Sequence, residues 1–224
     1  MSSVTLEDVK KNGAVSDMIN AANEALKAIG YTEHGMRHVC FVSHTAGAIL
    51  TELNFDERTV ELAKIAGYLH DVGNLVNRNL HGIAGAAMVV QLLQDMGMEM
   101  QEIARIACAI GNHEEQVGKP ASEITAALII ADKIDAHRSR VRKGRYNRDD
   151  IHDRVNYAIK KNVLEINAEN HVIRYEFFMD DTSSAMDFFE IYMSRMKLSE
   201  EAAAFLGCSF ELYMNGIRLN TRKM

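Results

Sequence analysis

Apolar residues recur at three- and four-residue steps over 16–29, 36–53, 56–72, 81–96, 99–113, 121–142 and 149–161, which predicts a helix over each stretch. The single proline, Pro120, leaves little to interrupt them. Asp56 before Glu57 and Ser122 after Pro120 are start signals, and Gly30, Gly73, Gly97 and Gly118 stand where helices should stop. Beyond Asn162 the texture changes. The runs Val163-Leu-Glu-Ile-Asn and His171-Val-Ile-Arg-Tyr-Glu-Phe-Phe are β-branched and aromatic, and they flank a polar link at Ala168-Glu-Asn. That pattern predicts a β-hairpin, with Ile173, Tyr175 and Phe177 on its buried face. Helices near 183–197 and 199–213 are expected to follow, and Asn215-Gly216 fits either a tight hairpin or a helix end.

The expected architecture is therefore all-α, with a helical bundle over 1–161 and a C-terminal extension of hairpin and helices over 162–224 packed on the same body. The extension is suited to covering a pocket or to making a homodimer contact. No repeat or low-complexity segment is present.

Composition narrows the function. With 224 residues, 47% hydrophobic and 25% charged, the chain can bury a full core. Its apolar runs, such as Ala126 to Ala131, are too short for a membrane span, and the first residues lack the basic start and apolar core of a secretory signal. Cys40, Cys108 and Cys208 are odd in number and far apart, which disfavours disulfides and fits a reducing cytoplasm. A net charge of −6 argues against a nucleic-acid polymer or an anionic membrane as partner.

The chemistry is concentrated in His70-Asp71, which ends one helix and runs into Val72-Gly73. Around it stand His38 on an earlier helix, His81 opening the next, His113 closing the one after, and Asp132 within 121–142. A lone histidine on a helix is most often a core or surface residue, so no one of these persuades by itself. Four imidazoles with two carboxylates, however, form a mixed N/O set suited to Fe or Mn and also to Zn, Co or Ni, with Mg a poorer match.

In order and context these residues resemble the HD superfamily of metal-dependent phosphohydrolases, whose pattern is an isolated His, a His-Asp doublet and a late Asp. Here these are His38, His70-Asp71 and Asp132, and the likeness extends over roughly 34–145. The added His81 and His113 resemble the six-ligand, two-metal branch that includes the HD-GYP phosphodiesterases and the diadenosine-tetraphosphate hydrolases. The resemblance implies an HD-domain helical bundle and two divalent ions. His38, His70, Asp71 and Asp132 would hold one ion, and a bridging Asp71 with His81 and His113 the other. It further implies hydrolysis of a small phosphorylated metabolite or nucleotide, a phosphomonoester, phosphodiester or phosphoanhydride, by metal-activated hydroxide.

One departure bears on substrate. HD-GYP-like sequences follow the doublet with Gly-Lys, whereas this chain has Gly73-Asn74, so a lysine thought to meet phosphate is replaced by an uncharged donor. Arg78 and Lys133 are candidates to compensate. The Gly-Tyr-Pro element is missing, which removes support for cyclic-di-GMP as substrate. Arg138 and Arg142, four apart on the helix expected to carry Asp132, share a face from which one can reach a phosphate, with Arg140 and Arg145 weaker candidates. The expected set is thus Asp71, Lys133 and Arg138 for catalysis and Asn74, Arg78, Arg138 and Arg142 for substrate. His34, His44, His137, His152 and His171 fall outside it, and Glu114-Glu115 reads as a surface turn. Two other functions share these residues: a mixed-valence di-iron oxygenase of the same superfamily, and a nucleotide-binding module without turnover.

Overall fold

Every helix expected in the first 160 residues forms in the computed structural model, which describes residues 3–220. They are α2 (Gly13–Ala28), α3 (Met36–Glu52), α4 (Glu57–Leu69), α5 (His81–Asp95), α6 (Met100–Gly111), α7 (Glu123–Lys133) and α8 (Ile151–Ala158), preceded by a short α1 (Leu6–Lys11). α1 was not anticipated, although Thr5 and Asp8 form a capping box that marks its start. Asp56 accepts from the Thr59 amide at 2.9 Å and Ser122 from that of Thr125 at 3.1 Å, so α4 and α7 begin at their predicted caps.

α7 is buried on all sides. Ile124 through Ala131 have no exposed member, because α3, α4 and α6 cover one flank and a later helix the other. Its predicted length to residue 142 is wrong: the helix ends at Lys133, and 138–140 form a separate 3-10 turn. No proline or glycine stands there. Asp135 leaves the helix to make buried hydrogen bonds with His38 and Arg37, and Asn162 Nδ2 donates to the Ile134 and Ala136 carbonyls at 2.8 and 3.2 Å. These partners hold the chain out of the helix.

The C-terminal part is more β-rich than expected. β1 (Ile159–Asn167) takes over the last residues of the helix predicted over 149–161 and pairs antiparallel with β2 (Val172–Met179). A single helix, α9 (Ala185–Phe205), replaces the two predicted ones, and the region expected to end the second helix is β3 (Ser209–Met214). β3 runs parallel to β2, and Asn215-Gly216 turns it into a short β4 (Ile217–Arg218), giving a four-stranded sheet ordered β1-β2-β3-β4. Ser199, where the second of those helices was expected to begin, lies inside α9 and donates to the Arg195 carbonyl at 2.9 Å. Alternating buried Phe210, Leu212 and Met214 give β3 the two-residue period of a strand.

The sheet belongs to the bundle's core. Tyr175, Phe177 and Phe188 are fully buried and continuous with the side chains of α3, α4 and α7. The Tyr175 hydroxyl donates to the Ile130 carbonyl at 2.6 Å, which ties β2 to the helix that carries Asp132. Among the described residues no helix is long and apolar enough to cross a membrane.

Candidate metal centre

Neighbouring residues of an α-helix point about 100° apart, so His70 and Asp71 can meet only if the helix stops between them. It does. His70 keeps helical angles, whereas Asp71 sits at φ −97°, ψ 0° and opens a 3-10 turn over Val72–Leu75. His70 Nε2 and Asp71 Oδ2 then lie 3.5 Å apart. The 3-10 turn packs directly on α5, and a Cβ on Gly73 would meet the His81 carbonyl at 1.9 Å and the Gly85 nitrogen at 2.4 Å. Only a glycine permits that approach. It sets His81 Nε2 3.2 Å from Asp71 Oδ1. Leu80, in the left-handed region at φ 60°, makes the bend that starts α5 at His81, a conformation costing an L-residue about 1–2 kcal/mol.

Six side chains from five helical segments converge here. His38 Nε2 lies 3.2 Å from His70 Nε2, 3.3 Å from Asp132 Oδ1 and 3.5 Å from Asp71 Oδ2. On the other side, His81 Nε2 and His113 Nε2 are 3.1 Å apart. Ligand atoms of His38, His70 and Asp71, of Asp71, His81 and His113, and of His70, His113 and Asp132 lie within 4.8 Å of one another in each group, so the six form one continuous cluster. Asp71 presents Oδ2 to the first group and Oδ1 to the second.

The orientation of the rings follows from their outer nitrogens. His38 Nδ1 faces Asp135 Oδ2 at 2.6 Å, His70 Nδ1 the Gly67 carbonyl at 2.9 Å, and His113 Nδ1 the Ile110 carbonyl at 2.6 Å. His81 Nδ1 faces Glu114 Oε1 at 3.0 Å and the Arg78 carbonyl at 3.1 Å. His70, His81 and His113 turn Nδ1 to acceptors, so each of these rings when neutral points an unprotonated Nε2 inward, the tautomer a metal requires, while His38 Nδ1 lies between Asp135 and Arg140 Nη1, the latter at 2.7 Å. Asp71 Oδ2 is buried and has no hydrogen-bond partner among the described residues. A buried carboxylate oxygen left unpaired beside inward-pointing nitrogens is costly, and a cation removes the cost, so these residues fit a divalent metal.

Charge around the cluster is ordered. Burial opposes ionisation of Asp71 and Asp132, but the imidazoles around Asp71, and Lys133 with His38 beside Asp132, hold both carboxyls well below the usual carboxylate range. Burial also lowers His81, yet its hydrogen bonds to Asp71 and Glu114 outweigh that and push it up to about 9. Asp135 accepts from Arg37 Nη2 at 2.8 Å and Arg140 Nη1 at 3.1 Å. Asp132 Oδ2 accepts from Lys133 at 2.5 Å, Lys133 contacts Glu115 at 3.1 Å, and Glu115 accepts from Arg195 Nε at 3.2 Å.

A cavity of about 210 Å³ opens beside Asp71, His81 and Asp132, and Arg78, Lys133 and Arg140 are on its wall. Lys133 is buried, not an exposed partner of Asp135. Asn74 is buried behind Asp71 and donates to its Oδ1 at 2.8 Å, and Arg78 Nη1 donates to Asn74 Oδ1 at 3.3 Å. Arg138 and Arg142 are elsewhere. With α7 ending at Lys133 they share no helical face: Arg138 stacks over Tyr157 and donates to its carbonyl, while Arg142 donates to the carbonyls of Tyr31 and Asn23. The basic residue of that stretch which reaches the site is Arg140. Glu114 is buried and Glu115 half-buried, neither forming a surface turn, and His34 and His152, left out on sequence grounds, line the cavity with Tyr192 and Arg195. Nothing local in the sequence singles out Arg195, which is brought in by the packing of α9 on α7.

Residues 35–138, which contain all six converging side chains, match the family model of the HD domain. That stretch is a domain of the HD superfamily. The HD domain accounts for α3 to α7, and the residues of α8 and α9 that reach the cavity lie outside the match. Among curated proteins, the chain is 27% identical over 134 residues to ribonuclease Y of Lawsonia intracellularis, covering 58% of this chain and 24% of that protein. It is 24% identical over 222 residues to ribonuclease Y of Alkaliphilus metalliredigens, covering 94% of this chain and 43% of that one. The chain thus spans less than half the length of these relatives. Among solved structures, a predicted HD superfamily hydrolase from an uncultured Thermotogales bacterium is similar at 26% identity and a TM-score of 0.44, over 58% of this chain and 73% of that one.

Proposed function

We propose that this HD-domain chain is a metal-dependent phosphohydrolase acting on a small phosphorylated metabolite or nucleotide. The observation that carries the reading is Asp71, whose two oxygens face two groups of imidazole nitrogens while Oδ2 has no hydrogen-bond partner among the described residues. His38, His70, Asp71 and Asp132 would hold one divalent ion, with Asp71, His81 and His113 holding a second; four imidazoles and two carboxylates suit Fe or Mn best. Such ions supply an ionised water near neutral pH and charge to offset that building on phosphoryl oxygens. Asn74 fixes the Asp71 carboxylate. Asp135 and Glu114 fix the rings of His38 and His81. Lys133, cationic and on the cavity wall, is placed to attract a phosphoryl group.

Small size is favoured by the cavity, which at about 210 Å³ lies below the roughly 300–1,000 Å³ of ordinary ligand pockets. The relatives' name makes RNA the competitor to exclude. Metal analysis of freshly purified protein, then an anaerobic screen of phosphorylated metabolites and short RNA with the metal found, tests the reading. Phosphate release from a metabolite supports it, cleavage of RNA alone replaces the substrate class, and turnover only with reduced iron and O2 replaces hydrolysis by oxygenation. Asp71→Ala should lose metal from both positions, and unchanged metal content would refute the bridging role.

A further inference from the structure

Arg195 is held in place by two contacts. Its Nε donates to Glu115 Oε1 at 3.2 Å, and its guanidinium lies 4.7 Å over the ring of Tyr192, whose hydroxyl donates to Asn156 Oδ1 at 3.1 Å. No hydrogen bond from its two terminal nitrogens is present among the described residues, and its side chain, 24% exposed, lines the cavity that Asp71 and Asp132 also line. Glu115 serves two cations, Lys133 and Arg195, and Lys133 is also paired with Asp132, so Arg195 is the cation of this wall with donors left over. Arg78 reaches the same cavity from the loop before α5, steadied by Asn74 and by Tyr31, whose ring lies 5.4 Å from the guanidinium carbon. His152, in the first turn of α8, is the third donor, and burial followed by the charges of Arg195 and Arg78 holds its imidazole below the ordinary value.

We propose that Arg195, Arg78 and His152 form the recognition wall for a substrate phosphoryl group, so that α8 and α9 complete a site the HD match alone leaves open. The guanidiniums of Arg195 and Arg78 on one cavity repel each other, and an anion seated between them, with His152 as a further hydrogen-bond donor, removes that repulsion while using the free fork of Arg195. The choice of a phosphoryl group as that anion rests on the phosphohydrolase reading; the convergence itself does not.

The test is calorimetric titration of the full-length, metal-containing protein with inorganic phosphate, with metal content and circular dichroism measured on every variant. Arg195→Met should weaken phosphate binding about tenfold or more, Arg195→Lys by an intermediate factor because charge without the planar fork remains, and His152→Gln several-fold, all with unchanged metal content. Binding by Arg195→Met equal to that of the wild type overturns the proposal, as does absence of phosphate binding to the wild type at 10 mM, a value chosen to exceed by roughly tenfold the ~1 mM of a weak site. If Arg195→Met does not fold, Arg195→Lys and His152→Gln decide in the same way. Phosphate binding that depends on Arg195 in protein found to carry no metal would uphold the wall while removing the hydrolase reading.

Discussion

Gly73 offers the sharpest test of how the fold builds the centre. A Cβ there would stand 1.9 Å from the His81 carbonyl, where ordinary contact begins at 3.4 Å, so Gly73→Ala must part the two backbones by about 1.5 Å. Both neighbours in contact are backbone atoms, so no side-chain rotation relieves the clash. Metal–ligand distances tolerate only about 0.2 Å, and a shift of this size takes His81 Nε2 out of reach of an ion shared with Asp71 and His113. His38, His70 and Asp132 lie on other elements and stay in place. Overpacking of this kind costs about 1–3 kcal/mol, which for a chain of this length lowers Tm by about 2–4 °C per kcal/mol. Elemental analysis should therefore show Gly73→Ala losing one of two metal equivalents, with a modestly reduced Tm in a thermal scan. Two retained equivalents and an unchanged Tm would refute the close approach as the device that places His81.

Three further outcomes follow from the packing and charge. Tyr175→Phe removes the 2.6 Å bond to the Ile130 carbonyl and should cost about 1–3 kcal/mol in urea unfolding; a loss below 0.3 kcal/mol, roughly the scatter of such measurements, would show that the bond does not anchor the sheet. Deleting 162–224 strips Tyr175, Phe177 and Phe188 from the flank of α7 and should give protein that aggregates or loses near-UV circular dichroism, whereas a monomeric, cooperatively folded product would make the extension dispensable to the core. Because the metal-free His81 titrates at about 9, it is protonated at neutral pH and a cation must displace that proton, so metal affinity should rise about tenfold per pH unit between pH 6 and 8. Calorimetry in buffers of different ionisation heat would register the released proton, and identical heats would count against it.

Apart from α1, the helices of the first 160 residues and the six converging side chains were legible in the sequence because both are local signals: apolar spacing, caps, and a rare residue order around His70-Asp71. What the sequence left open depended on distant partners. Asp135 stops α7 because His38 and Arg37, about a hundred residues earlier, receive its carboxylate, and that early stop removes the helical face on which Arg138 and Arg142 were expected. The two helices expected over 183–197 and 199–213 are one because Ser199 sits inside α9, and β3 reads as helix until β2 lies beside it. Glu115, His152 and Arg195 have no telling neighbours in the chain. They become a site only because α9 packs on α7 and α8 packs on α9, and no pattern within a few residues encodes a contact such as that of Arg195 with Glu115, eighty residues away.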